Sequence, residues 1–201
     1  MQPTAPSAVV RAMNDEILAS RPLFEGWLDI LLLTLRINGK EEERPLIDHP
    51  SGSAVLLYDP QRRTALIVRQ TRPALLHLGR PGVAEAIAGV DEVGDAEETA
   101  RREAMEEAGV RVGALERVGA VWMNPGTSTE RVELFLAPYA AADRIGAGGG
   151  LDEENEQVRV RECPLAELWA AAASGGTADA KTLLLLQALY IRRPELFAGR
   201  D

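Results

Sequence analysis

The chain has 201 residues, a net charge of −9 at pH 7 and a sequence pI of about 4.9, and this length suits one domain with an appended element. Its acidic balance offers no basic surface of the kind that binds nucleic acid or anionic lipid, so neither partner is expected. The single cysteine cannot form an internal disulfide, which is typical of the reducing cytoplasm and predicts a cytoplasmic protein.

The N-terminal part of the chain predicts a small β element. Residues 8–20 indicate a short helix, and residues 23–37 are largely apolar and tolerate a strand. Asn38-Gly39 then gives a strong two-residue hairpin signal, and residues 41–48 form the returning strand. Because an isolated hairpin is only marginally stable, this element must pack on the main domain or on another subunit. We therefore divide the chain into a hairpin region, residues 1–48, and a main domain, residues 49–201.

The main domain alternates strands and helices unevenly. This pattern predicts an α/β (α+β) fold, in which helices cover both faces of one mixed sheet. The longest apolar runs, residues 30–33 and 183–186, are far too short to cross a bilayer, so no membrane partner is expected. The predicted strands are residues 52–59, 64–70, 115–123, 131–137 and 158–163, and the predicted helices are residues 95–107, 164–173 and 181–192.

The helix at residues 95–107 has clear signals at both ends. Asp95 and Glu98 have the spacing of a capping box, and acidic residues in the first turn suit the helix dipole. Gly109 follows the last turn, where a left-handed C-terminal cap favours glycine.

Three carboxylates lie close together on this helix. Glu103 and Glu107 are four residues apart, and Glu106 is three from Glu103. Such like-charge pairs each cost about 0.2–0.5 kcal/mol on a bare helix, and a hard cation such as Mg²⁺ removes that cost. Arg102 can hold Glu106 at i+4. By its charge pattern alone, the helix is better explained as a solvated acidic surface than as a metal site.

The wider context of the helix resembles the signature of the Nudix hydrolases. Gly89 precedes Arg102-Glu103, then Glu106-Glu107, and finally Gly109. Twelve residues separate Gly89 from Arg102, one fewer than in the pattern, and Gly94 stands where the pattern has glutamate. In this shorter spacing the chain resembles one branch of the family, the GDP-mannose and ADP-ribose pyrophosphatases.

This resemblance implies a fold, a reaction and an assembly. The fold would be a Nudix-type α/β/α sandwich. The reaction would be Mg²⁺-dependent hydrolysis, with Mn²⁺ as an alternative ion, of the pyrophosphate bond in a nucleotide sugar such as GDP-mannose or ADP-ribose. In this branch the N-terminal strands make contacts across a homodimer. Because of Gly94, a non-catalytic nucleotide-sugar-binding or sensor domain remains the alternative.

The resemblance also assigns metal ligands. Glu103 and Glu107 would bind the metal directly, and Glu106 would bind it directly or through water. The segment at residues 85–89 is similar to the family's E-x-x-A-G strand, which adds Glu85 and the backbone carbonyl of Ala88.

Substrate and catalytic residues follow from three further segments. Residues 68–72 match a strand end with the pattern IRQxR, and the planar fork of arginine suits phosphate oxygens. Residues 124–130 resemble an SPGxSxE loop. Residues 146–150 are almost all glycine and predict a mobile tether, and in the family a loop at this place supplies a catalytic glutamate. The resulting substrate contacts are Arg69, Arg72 and Glu130, and the catalytic residues are Glu156, then Glu153, with Arg102 holding the acidic cluster.

Overall fold

The structure is a computed structural model, and it describes residues 15–92, 94–150 and 157–198. The chain divides into two compact units. The first comprises Met1–His49 and Asn124–Thr129, and the second comprises Pro50–Met123 and Glu130–Asp201.

The first unit contains a three-stranded antiparallel sheet. The predicted hairpin is confirmed: its turn is Asn38-Gly39, whose φ angles of 51° and 77° are those of a type I′ turn. The helix predicted for residues 8–20 is wrong from residue 16 onward, because this stretch pairs with the next strand, and tertiary pairing overrides a weak helix propensity. Residues 8–14 lie outside the described residues. In order across the sheet, the strands are β1 (Glu16–Phe24), β2 (Asp29–Ile37) and β3 (Lys40–Asp48).

A second stretch of chain completes this unit. The segment Asn124–Thr129 runs beside β3: the Ile47 N–H donates to the Thr127 carbonyl at 2.8 Å, and the Thr129 N–H donates to the Ile47 carbonyl at 3.0 Å. The unit is thus built from two parts of the sequence that are far apart.

The second unit is built on a mixed sheet. Its strand order is β7-β8-β4-β5-β9, and β6 also pairs with β4. The central pair, β4 and β8, is parallel, and the other pairs are antiparallel. The strands are β4 (Gly52–Asp59), β5 (Thr64–Arg69), β6 (Ile87–Val90), β7 (Glu116–Trp122), β8 (Arg131–Pro138) and β9 (Arg159–Pro164).

Helices cover this sheet on both faces, so the predicted α/β/α sandwich is confirmed. A short helix, α1 (Pro73–His77), follows β5, and single 3₁₀ turns lie at Ala141–Asp143 and Pro194–Leu196. No helix among the described residues is long and apolar enough to cross a membrane. The helices are α1 (Pro73–His77), α2 (Ala96–Ala108), α3 (Leu165–Ala173) and α4 (Ala180–Arg192).

The central strand β4 contributes side chains to two hydrophobic cores, one on each face of the sheet. Because successive side chains of a strand point to opposite faces, Leu57 packs with Ala104 of α2, whereas Leu56 packs with Leu185 of α4. Burying a leucine of this kind is worth about 1.5–3 kcal/mol. The sheet therefore has an α2 face and an α3/α4 face, and this division decides where each site residue lies.

Candidate active site

The caps of α2 are the predicted residues, Asp95 and Gly109, and the helix itself, Ala96–Ala108, lies one residue later than predicted at each end. The Asp95 carboxylate accepts hydrogen bonds from the N–H groups of Glu97 and Glu98, both at 3.1 Å. The other half of the capping box is different: the Asp95 N–H donates to Asp91 Oδ1 at 3.0 Å. At the far end Gly109 is left-handed, with φ of 66°.

Two of the predicted metal ligands lie on the buried side of α2. Glu103 is 7% exposed and Glu107 is fully buried. A buried carboxylate is costly unless it has polar partners. Arg102 Nη2 lies 2.8 Å from Glu103 Oε1, and Arg102 Nη1 donates to Glu106 Oε2 at 2.7 Å. Burial would lower the pKa of Arg102, but these two carboxylates raise it, so the guanidinium stays charged. Arg102 therefore joins two of the three carboxylates.

The residue beside these carboxylates has to be glycine. Gly89 lies in β6 opposite Ser53 of β4. A Cβ on Gly89 would stand 1.8 Å from Glu103 Oε1 and 2.1 Å from its Cδ. The glycine of the signature thus provides the space into which the Glu103 side chain fits. Ala88, whose carbonyl is a predicted ligand, is the preceding residue of the same strand.

A second charged cluster lies around Glu85. This glutamate is 3% exposed, and Arg72 donates to it from Nε at 3.0 Å and from Nη2 at 2.8 Å. Lys181 Nζ lies 3.7 Å from Glu85 Oε2. A residue predicted to bind metal and a residue predicted to bind substrate therefore form one ion pair.

At the end of β5, the neighbouring residues Arg69 and Gln70 point to opposite faces of the sheet. Ile67 packs in the α3/α4 core, so Arg69, two residues on, belongs to that face as well. Gln70 instead donates from Nε2 to Glu107 Oε1 at 3.4 Å. The structure does not bring Arg69 together with the carboxylates of α2. Sequence reasoning missed Gln70, although the alternation of the strand was a signal that could have found it.

The glycine segment of residues 146–150 is attached to α2, so the prediction of a mobile tether is wrong for these residues. The Gly149 N–H donates to the Glu107 carbonyl at 2.8 Å, and the Gly150 N–H donates to the Glu106 carbonyl at 3.2 Å. These bonds satisfy helix carbonyls that would otherwise lack partners. Glu153 and Glu156 lie outside the described residues.

Two other positions complete the predicted set. Glu130 directly precedes β8, and its carbonyl accepts from the Met123 N–H at 3.1 Å. Gly94, which replaces the glutamate of the pattern, has φ of 78° and donates from its N–H to Asp91 Oδ1 at 2.8 Å. Any other residue would be strained at this φ. The left-handed backbone at this position therefore favours glycine over the glutamate of the signature.

The donor set suits a hard divalent cation in its chemistry. It consists of carboxylate and carbonyl oxygens, which are the ligands that Mg²⁺ prefers, and the space beside Gly89 fixes one carboxylate. In the described part of the chain, however, no three His, Cys, Asp or Glu side chains converge so that they could hold a metal. Three of the predicted ligands, Glu85, Glu103 and Glu106, are instead paired with Arg72 or Arg102.

Comparison with known proteins adds to this geometry. Residues 48–186 match the NUDIX domain. The GDP-mannose pyrophosphatase of Cronobacter sakazakii is 36% identical over 188 residues, which cover 90% of this chain and 97% of that protein. The GDP-mannose pyrophosphatase of Klebsiella pneumoniae is 31% identical over 197 residues, which cover 94% of this chain and 98% of that protein. The GDP-mannose pyrophosphatase of Citrobacter koseri is 35% identical over 150 residues, which cover 74% of this chain and 78% of that protein. The chain therefore belongs to the Nudix family and is a Nudix pyrophosphatase.

Proposed function

We propose that this enzyme hydrolyses the pyrophosphate bond of a nucleoside diphosphate sugar to a nucleoside monophosphate and a sugar phosphate. GDP-mannose is the first substrate to test, because the relatives described above are named GDP-mannose pyrophosphatases. ADP-ribose is the second. The observation that carries the proposal is the pair of buried carboxylates on α2, Glu103 and Glu107, of which Glu103 lies beside Gly89.

Nudix hydrolases generally use divalent metal ions, and we propose Mg²⁺ here, with Mn²⁺ as a substitute. Such ions, when bound, polarise phosphoryl oxygens and lower the pKa of a bound water. The residues that would hold them are Glu103, Glu107, Glu106, Glu85 and the carbonyl of Ala88.

The remaining residues are proposed to orient the carboxylates, to contact the substrate or to act as the general base. Arg102 orients Glu103 and Glu106 through its two ion pairs. Arg72 orients Glu85 and brings positive charge to the place where phosphate oxygens would bind. Arg69 and Glu130 are further proposed substrate contacts. Glu156, or else Glu153, is the proposed general base.

We also propose that the enzyme is a cytoplasmic homodimer that uses the first unit as its interface. Large apolar side chains lie exposed on and beside β1, with Phe24 54% and Trp27 74% exposed. Exposed apolar surface of this kind is typical of an interaction site. Light scattering should give twice the chain mass, and a clean monomer would contradict the proposal.

The test of function is a panel of nucleotide sugars with and without Mg²⁺, with products separated by chromatography. We expect GMP and mannose 1-phosphate from GDP-mannose, and no products without a divalent ion. Glu103→Gln should abolish turnover. Glu98→Gln is the matched control, because it makes the same change at an exposed position of the same helix.

The sensor alternative has one feature in its favour, which is Gly94 in place of the signature glutamate. Tight binding of one nucleotide sugar without turnover of any would support that alternative and overturn the hydrolase proposal.

A further inference from the structure

A cavity with charged and apolar walls lies on the α3/α4 face of the sheet, opposite the face that carries α2. It has a volume of about 380 Å³ and is lined by residues of β5, β9 and α3. We name it the arginine cavity, after Arg69, Arg159 and Arg161. Glu167 is the one carboxylate among the described residues that line it, and Cys163 also lines it.

Strand pairing places the three arginines close together. Arg69 is directly opposite Arg159 in the β5–β9 ladder, and Arg161 is opposite Ile67 on the same face. Directly opposite residues of an antiparallel pair have Cβ atoms about 5 Å apart, and like charges at that distance are destabilising. Arg161 lies about 7 Å further along its strand from Arg159.

Among the described residues, three arginines and one glutamate line the cavity, so positive charge is in excess there. No salt bridge joins Arg69, Arg159 or Arg161 to a carboxylate anywhere in residues 15–92, 94–150 and 157–198. The chain as a whole has a net charge of −9, so a local excess of positive charge is not a general property of its surface. An anionic ligand would remove the repulsion between the three guanidinium groups.

The size and the walls of the arginine cavity indicate what kind of anion fits. A water molecule takes about 30 Å³, so the cavity has room for about a dozen waters and exceeds a bare phosphate ion. Its other walls are largely apolar, with Ile67, Ala84 and Leu168 among them. Guanidinium forks match the oxygens of a phosphate group. The ligand should therefore combine a phosphate with a compact organic body.

We propose that the arginine cavity is a binding site for an organic phosphate monoester, separate from the carboxylates of α2. Arg159 and Arg161 bind the phosphate from β9. The organic body lies against the apolar wall formed with α3. This proposal rests on the cavity alone and does not depend on the substrate proposed above.

Calorimetric titration of the wild-type enzyme tests the proposal. The probes are mannose 1-phosphate, GMP and inorganic phosphate, each at fixed ionic strength and with EDTA, so that a metal-dependent site stays silent. We expect one of the two organic esters to bind at least about tenfold more tightly than inorganic phosphate. Arg159→Gln and Arg161→Gln should each weaken that binding by about tenfold or more, since each removes a charged hydrogen-bonding partner.

The control variant is Arg111→Gln, which removes the same charge from an exposed position outside the cavity and should bind like wild type. Arg161→Lys keeps the charge but not the fork, so it should bind with intermediate affinity. Arg161→Gln should also keep its turnover of GDP-mannose, which separates failure of this proposal from failure of the proposed function.

The single cysteine of the chain reports where the ligand binds. Cys163 is 6% exposed, and burial raises the pKa of its thiol, so it should react slowly with a thiol reagent. The bound ester should slow this reaction further in the wild type but not in Arg161→Gln. The proposal is overturned if neither ester binds, if Arg161→Gln binds like wild type, if inorganic phosphate binds equally well, or if thiol reactivity does not change.

Discussion

Glu103 occupies the space in which a side chain on Gly89 would stand, because a Cβ there would lie 1.8 Å from Glu103 Oε1. The glycine and the glutamate are on different elements, β6 and α2, so the absence of a side chain on the strand leaves room for the Glu103 carboxylate at the proposed metal site. The requirement for glycine at this position is steric.

Gly89→Ala should therefore displace the Glu103 carboxylate. A misplacement of about 1 Å at a reacting centre can cost about a hundredfold in rate, so we expect kcat/KM to fall by at least that factor. Gly113→Ala is the control, because a Cβ on Gly113 would have no atom within 4 Å. Steady-state kinetics on both variants, with thermal unfolding to confirm that they fold, would decide the matter. Equal activity in the two variants would contradict the expectation.

The ion pair between Arg72 and Glu85 should contribute to stability as well as to the site. Removing Arg72 leaves a carboxylate that is 3% exposed with Lys181 as a partner at 3.7 Å. We expect Arg72→Met to lower the free energy of unfolding by about 1.5–3 kcal/mol, the usual contribution of a hydrogen bond to a charged group. Urea denaturation would measure this loss.

The double variant Arg72→Met with Glu85→Gln is the companion experiment. It removes the buried charge together with its partner. Its loss in free energy of unfolding should therefore be smaller than the sum of the losses of the two single variants. Strict additivity of the two changes would show that the pair is not coupled.

The glycine segment offers a test of its attachment to α2. Gly148 has φ of 66°, and a Cβ there would lie 2.3 Å from the Glu107 carbonyl oxygen. Gly175 has φ of 78° with no atom within 4 Å of such a Cβ. Alanine at either position strains the backbone, but only Gly148→Ala should also break the contact with the helix. Hydrogen exchange at the Gly149 amide should accelerate in Gly148→Ala and stay unchanged in Gly175→Ala.

Acid sensitivity should depend on Asp179. Burial alone would raise the pKa of this carboxyl, but the charge of Lys181 and hydrogen bonds from Lys181 and Thr182 outweigh burial and hold the pKa below its ordinary value. A carboxyl with a depressed pKa in the folded state contributes stability above its unfolded pKa of about 3.9. That stability is lost as pH falls through the folded pKa.

Asp179→Asn removes this titration and keeps a good N-cap for α4. The wild type should be the more stable protein at pH 7, and its advantage should shrink as pH falls below about 4. Denaturant unfolding of both proteins from pH 7 to pH 3 measures the difference. An advantage that stays constant over this range would show that Asp179 does not supply it.

The elements that sequence predicted well have local causes. Asp95 and Gly109 directly flank α2 in the chain, and the turn at Asn38-Gly39 depends on two residues alone. The mixed sheet with helices on both faces followed from the order of such elements.

The features that sequence did not predict depend on pairing between distant segments. β1 is a strand because β2 lies beside it. Arg72 meets Glu85 because the backbone of Glu85 bridges to Val68 at the end of β5. The glycine segment is attached because α2 ends in carbonyls that need donors. None of these contacts leaves a periodic pattern in the sequence.

The parallel pairing of β4 with β8 also has a consequence for synthesis on the ribosome. Gly52 pairs with Val132 and Tyr58 with Pro138, so β4 cannot gain this neighbour until most of the chain has been translated. Pairings this distant in sequence slow folding. Until β8 emerges, the nascent chain exposes the apolar run Ala54–Leu57, which is fully buried in the finished protein. A slow rate of translation would lengthen that exposure, and it is in this interval that the chain would most need a chaperone.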